Sequence, residues 1–349
     1  MRVVHIASFP PPIGGVSYFL KRLKEYTDSQ EYRDRFEYVD VSGLDSEKKR
    51  DEGIICKNKI GIFIFLLKQE PSIVVFHSNS AAHLMTNILF AKKHKFIYFT
   101  HGESIIREKN RKGWRNYILN KAEGFVTPTE QLYTKVFLMF GGKCNVKYIP
   151  FIIYPNIVAP LKDAQIEDLK RRTDFVFSVY ANSLITYNNQ DLYGIDMVID
   201  LADRLRKKRM KVGFIILVTA ISDTDKYINY VKSIEEKGLN KNFIIINGRI
   251  KEASSLYIST DAYLRPTNTD GDSFSIWEAL HFGIPVLASD ATQRPRGCIL
   301  FKNRDIESMT KKAVELINNY KFIKKKVGDL KIKGNEVEIT EYLLEVSRG

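Results

Sequence analysis

Short apolar runs alternate with stretches of helical periodicity from one end of the chain to the other. In the first half the runs are Val3–Ala7, Phe36–Val41, Ile73–His77, Phe96–Thr100, Gly124–Thr127 and Val146–Ile149. In the second half they are Phe175–Val179, Val212–Val218, Phe243–Ile246, Ala262–Leu264, Pro285–Ala288 and Cys298–Phe301. The spacing predicts helices between them at about Tyr193–Lys208, Lys226–Lys237 and Ile306–Asn319. Strand and helix alternating in this way argue for an α/β chain of parallel sheets covered by helices. The pattern breaks where Pro150, Pro155 and Pro160 cluster without a helix signal. It therefore predicts a domain over 1–150, a linker over 151–160 and a second domain over 161–330. A lysine-rich stretch, Lys321–Lys333, runs into an amphipathic segment within 331–349. Two domains of ordinary size fit within 349 residues.

Composition agrees with a globular chain, at 44% hydrophobic and 27% charged residues. Three cysteines, widely spaced and odd in number, make neither a disulfide framework nor a zinc pattern, and suit a reducing cytoplasm. The opening Met-Arg-Val-Val-His-Ile-Ala-Ser reads directly as a strand rather than as a leader. The longest apolar run, Ile60–Leu67, falls well short of the roughly 20 residues that cross a bilayer.

Charge changes the picture more. The formal net charge is +13, and residues 1–150 hold 24 Lys+Arg against 15 Asp+Glu, a surplus of 9. Basic residues concentrate in Lys92-Lys93-His94-Lys95 and in the run Arg107, Lys109, Arg111, Lys112, Arg115 and Lys121. The latter alternates with Ile105, Ile106, Trp114, Tyr117, Ile118 and Leu119. Such a helix can lie on an anionic membrane, each basic residue contributing about 1 kcal/mol, or can simply cover its own domain. No nucleic-acid-binding module is recognisable, so nucleic acid is not an expected partner.

Residues 261–290 carry the densest chemistry. A short strand ends at Pro266, a polar loop runs over Thr267–Ser273, a helix is predicted over Phe274–Phe282, and a second strand follows Gly283. Parallel β-α-β units bind ligands at the loop that opens the helix, where unpaired N–H groups and the helix dipole favour phosphate. Asp270 lies in that loop and Glu278 two turns into the helix.

The segment resembles the donor-binding signature of retaining GT-B glycosyltransferases, specifically glycosyltransferase family 4. Two acidic residues stand eight positions apart, here Asp270 and Glu278, followed by a "GxPVxASD" strand, here Gly283–Asp290. Asp-Gly-Asp-Ser at 270–273 replaces the family's Glu-Gly-Phe-Gly, which shortens the first carboxylate and adds Asp272. An Asp-x-Asp triplet also holds a divalent ion in the other glycosyltransferase fold, and Asp and Gly are common turn residues in any case. The resemblance implies the GT-B fold, two doubly wound Rossmann-like domains facing across a cleft, with 331–349 crossing back to the first domain. It implies retaining transfer of a hexosyl group from a UDP- or GDP-linked sugar, with no metal and no further cofactor.

In that scheme His101, Asp270 and Glu278 are the catalytic group: His101 and Asp270 orient the sugar and Glu278 holds the ribose. Gly14, Gly15, Asn182, Gly248, Arg265, Asp272, Ser273 and Phe274 complete the donor site. The family's phosphate-clamping Arg and Lys correspond to about Asn182 and Tyr193, both neutral. Arg265, or Arg249 after Asn247-Gly248, is then the replacement cation. The implied acceptor is a glycan or a polyprenyl-linked sugar in bacterial surface-polysaccharide assembly. The implied place is the cytoplasm, with peripheral contact at the inner face of the cell membrane. The alternative is a non-catalytic GT-B-like partner subunit or glycan-binding protein. A retaining glycosidase needs its carboxylates across a scissile bond, which 270 and 278 on one loop-helix unit do not provide.

Overall fold

The computed structural model describes residues 1–348 except 11–14, 44–46, 78–79, 102–104, 107–113, 141–143, 156–157, 249, 251 and 271–272, and without the side chains at 59, 81–82 and 114–116. The chain divides into two units, Met1–Tyr154 with Gly334–Gly349, and Pro155–Lys333. The first boundary falls inside the expected linker, because Phe151 to Tyr154 are apolar, buried and part of the first unit.

The first unit carries seven parallel strands: β1 (Arg2–Ala7), β2 (Phe36–Asp40), β3 (Ile55–Cys56), β4 (Ser72–Phe76), β5 (Lys95–Phe99), β6 (Gly124–Thr127) and β7 (Asn145–Tyr148). They lie in the order β3-β2-β1-β4-β5-β6-β7. The helices are α1 (Gly15–Asp28), α2 (Glu47–Asp51), α3 (Lys59–Lys68), α4 (Ala81–Phe90), α5 (Trp114–Leu119) and α6 (Glu130–Phe140). Side chains of α3 to α6 pack on one face of the sheet, among them Leu66, Leu84, Ile118 and Val136. Residues of α1, such as Leu20 and Leu23, cover the other face together with the carboxyl-terminal helix. Strands buried on both faces read as nearly unbroken apolar runs, which is why their sequence signal is strong.

The second unit has a six-stranded parallel sheet in the order β12-β11-β8-β13-β14-β15. Its strands are β8 (Phe175–Ala181), β11 (Val212–Val218), β12 (Phe243–Asn247), β13 (Ala262–Arg265), β14 (Val286–Ser289) and β15 (Cys298–Phe301). A separate hairpin, β9 (Thr186–Tyr187) with β10 (Gln190–Asp191), turns at Asn188 and Asn189. Both turn residues have φ values of 50° and 57°, the left-handed conformation a two-residue hairpin needs. Helices α7 (Ala164–Arg172), α8 (Ile195–Lys207), α9 (Thr224–Glu236), α10 (Ser254–Ile258), α11 (Phe274–His281), α12 (Ile306–Asn318) and α13 (Tyr320–Asp329) belong to this unit. Asp163, Asp223 and Asp305 cap α7, α9 and α12 by accepting from N–H groups of their first turns. The last helix, α14 (Glu336–Arg348), returns to the first unit and buries Ile339, Tyr342 and Leu343 in its core.

In both sheets the first strand sits between neighbours whose connections leave in opposite directions. Open α/β sheets bind ligands at the carboxyl ends of strands at such a point. Here those points lie between β1 and β4 and between β8 and β13.

Candidate functional site

In the second unit the strand ends at the switch point bring charges together. Arg265, the last residue of β13, is buried, with Nη1 donating to the carbonyl of Tyr180 on β8 at 3.3 Å. Its Nε and Nη2 grip Asp270 at 2.9 and 3.2 Å. A second guanidinium, Arg294, reaches the same carboxylate at 2.9 Å and donates to Thr267 Oγ1 at 2.9 Å and to the Ser289 carbonyl at 3.0 Å. Burial pushes the Asp270 carboxyl up, but Arg265 and Arg294 outweigh it and hold the group below the usual carboxylate range. Tyr193 places its ring 5.3 Å from the Arg265 guanidinium, a cation–π contact. Among the described residues two guanidinium groups thus share one carboxylate.

The opening of α11 adjoins this cluster. Tyr263 on β13 accepts from Arg265 at 3.4 Å and donates to Ser275 Oγ at 2.9 Å. Ser275 lies 2.8 Å from Ser273 Oγ, the N-cap residue. The Ser273 side chain makes no capping bond, so the first N–H groups of α11 carry no side-chain cap among the described residues. The start of α8 differs. Asp191 accepts from the N–H groups of Ile195 and Asp196 at 2.7 and 3.4 Å, and its carboxylate also takes Tyr230 and Lys226. The start of α11 thus lies beside two arginines, where the start of α8 carries a carboxylate.

Glu278 is buried on α11 and accepts from Ser254 Oγ of α10 at 3.1 Å. Phe274 begins α11 and is 41% exposed. Asn182 is exposed just past β8, where Tyr180 Oη donates to it at 3.5 Å. Gly248 follows β12 at φ 102°, with open space where a Cβ would stand. Gly15 starts α1 in the first unit, also with open space at its Cβ position. Gly14, Asp272 and Arg249 lie outside the described residues. The structure thus joins Arg265, Asp270, Ser273 and Phe274 at one strand-to-helix crossing and adds Arg294. Sequence reasoning missed Arg294, because it lies in a loop past β14 and no periodicity marks it. Gly194 supports the same place from behind. Its φ is +67°, and a Cβ there would come 2.3 Å from the Pro266 carbonyl oxygen, next to Arg265. Gly194→Ala is expected to cost at least about 1–2 kcal/mol from left-handed strain alone, and a urea titration of the second unit will show it.

In the first unit His101 follows β5 and does not stand alone. His5 Nδ1 lies 3.0 Å from His77 Nε2, and His77 Nδ1 lies 2.9 Å from His101 Nε2. Burial holds His5 down to about 3 and His101 to about 3, and burial, with the imidazoles of His101, His5 and His83, holds His77 well below its ordinary value. All three are neutral near pH 7, so each contact needs one N–H and one lone pair. His5 Nε2 is buried with no partner. An orphaned N–H is the rarer defect, so the lone pair belongs there. The row then donates from each Nδ1: His5 to His77, and His77 to His101. That accounting leaves His101 with its proton on Nδ1. His101 also packs 4.6 Å from the Phe151 ring. In the sequence His77 reads as background after the preceding strand and His5 as part of the first strand.

Residues 183–319 match the family model for glycosyl transferases group 1. Anabaena HepE in complex with UDP is similar over 100% of both chains, at 14% identity and a TM-score of 0.71. A glycosyltransferase from Rickettsia africae covers 98% of both chains at 12% identity and a TM-score of 0.67. Sucrose-phosphate synthase from Thermosynechococcus elongatus covers 100% of both at 10% identity and a TM-score of 0.66. No curated protein sequence matches the chain. The likeness establishes the fold as the two Rossmann-like units of GT-B, and with the family match it supports a GT-B glycosyltransferase.

Proposed function

We propose that the chain is a retaining transferase of family 4 type that takes a hexosyl group from a nucleotide sugar. The observation that carries this reading is the junction of Arg265 and Arg294 with the uncapped start of α11 at the β8/β13 switch point. A diphosphate there meets guanidinium charge and helix N–H groups at once, which stabilises the departing nucleoside diphosphate. The family match spans this unit, and HepE, a neighbour in fold, binds UDP. Arg265 and Arg294 take the place of the clamp that Asn182 and Tyr193 cannot provide. Glu278, on the same helix α11, contacts the nucleoside.

Asp270 retains one role for a sugar hydroxyl. Among the described residues its Oδ2 is engaged by Arg265, Arg294 and Thr267, while Oδ1 accepts from Arg265 alone. No metal is invoked for the transfer. The acceptor in this reading is a glycan or a polyprenyl-linked sugar in surface-polysaccharide assembly, used in the cytoplasm.

A panel of UDP-, GDP- and ADP-linked sugars tests the donor class by thermal unfolding. A donor present at 100 times its dissociation constant adds about 2.7 kcal/mol to the stability of the folded form. No shift with any member of the panel sinks the reading. It would favour a non-catalytic subunit, to which the neutral residues 182 and 193 also point.

A further inference from the structure

The outer face of the first unit is built wrongly for water. α3 is Lys-Ile-Gly-Ile-Phe-Ile-Phe-Leu-Leu-Lys, apolar on every side. A helix of that kind is expected in a core or against lipid. Ile62 and Leu66 of α3 are buried in the core and Phe65 packs against it, while Ile60, Ile64 and Leu67 are 72%, 51% and 65% exposed. Their spacing of four and three residues aligns them as one outward stripe. α4 repeats the arrangement, with Met85, Ile88 and Leu89 exposed and no charged residue anywhere along it. The two stripes are neighbours, joined by Phe63 and Phe90 with ring centroids 6.4 Å apart.

Charge along this stretch is mainly of one sign. Residues 57–95 contain Lys57, Lys59, Lys68, Lys92, Lys93 and Lys95 against Glu70 alone. Lys93 Nζ donates to the carbonyl of Leu67 at 2.8 Å, which anchors a cation at the end of the α3 stripe. Tyr117 on α5 is exposed, with Lys121 Nζ 4.5 Å from its ring centroid. Aromatic rings of this kind sit at the headgroup level of membranes. The outward residues of the second unit's helices contrast with this: Asp200 on α8 pairs with Lys237, and Arg204 with Glu307.

We propose that the α3–α4 face docks on an anionic lipid bilayer, with its aliphatic stripes entering the acyl boundary and its lysines among the headgroups. The combination of lysine rim and aliphatic centre matches such a surface in both chemistry and sign. A second copy of the chain is the poorer occupant, since a two-fold contact sets this lysine-rich patch against itself. Among the described residues no helix is long and apolar enough to cross a membrane, so attachment through α3 and α4 is to one leaflet. The proposal deepens the membrane-linked acceptor suggested above, but its test needs no donor, so the two can fail separately.

The test is sedimentation with vesicles of phosphatidylcholine alone or with added phosphatidylglycerol. Binding is expected with phosphatidylglycerol, falling by about fivefold for each of Lys68→Gln and Lys92→Gln, the equivalent of 1 kcal/mol per lysine. I64D with L89D is expected to abolish it, while leaving circular dichroism and any donor-induced thermal shift as in the wild type. Binding unchanged in I64D/L89D, or no binding to either vesicle, overturns the proposal. So does a concentration-dependent dimer that the same pair of substitutions dissociates.

Discussion

Asp270→Asn is expected to destabilise the second unit by about 3–5 kcal/mol, while keeping nearly the same side-chain shape. Arg294 has a side chain only 1% exposed, and Arg265 one 9% exposed. Both lose their shared counter-ion in this variant and remain charged, since a guanidinium does not deprotonate in proteins. Breaking a buried pair from one side costs far more than the pair was worth, because the remaining charge is left unpaired. Two consequences separate this from ordinary loss of packing. Adding Arg294→Leu to Asp270→Asn is expected to recover part of the loss, with a coupling of about 1–3 kcal/mol in a double-mutant cycle. A nucleoside diphosphate is also expected to raise the unfolding temperature more in Asp270→Asn than in the wild type, since its phosphates replace the missing anion. Additive losses, together with equal ligand shifts, rule out the view that this cluster is poised for phosphate.

Much of the architecture was legible because these strands are buried on both faces. Gly124–Thr127 and Val212–Val218, buried at every position, run between the residues that the apolar pattern predicts. The misses have local causes. β3 is two residues long, too short for a pattern. The β9–β10 hairpin is held by turn chemistry at Asn188-Asn189 rather than by apolar alternation. At the candidate site, Arg265 stood out because a cation at the end of a buried strand is unusual. Its partners did not. Arg294 comes from 24 residues beyond Asp270, and only the parallel pairing of β13 with β14 brings that loop to it. The histidine row is a long-range feature as well, since His5, His77 and His101 come from three adjacent strands of one sheet.

That row makes the first unit acid-sensitive, and the sign follows from where each proton is bound. In the unfolded chain a histidine takes up a proton below about pH 6.5. Folded, His5 resists protonation until about pH 3, and His77 is also held well below the ordinary value by burial and by His101 and His5. The stabilisation is therefore complete above pH 6.5 and drains away as pH falls toward the folded values. For His5 the loss between pH 7 and pH 5 is about 2 kcal/mol, and His77 adds a loss of the same sign. His101, also held to about 3 by burial, adds a further loss in that direction. For a unit of ordinary stability this is a large fraction of the total. Urea midpoints of the first unit measured from pH 7 to pH 5 are expected to drop accordingly. In the double variant His5→Leu/His77→Leu, which removes both buried imidazoles, that dependence should shrink by nearly two protons. A wild-type profile as flat as the variant's means that the folded row already carries a positive charge. The single donating direction inferred for His101 would then be lost, because a protonated ring donates from both nitrogens.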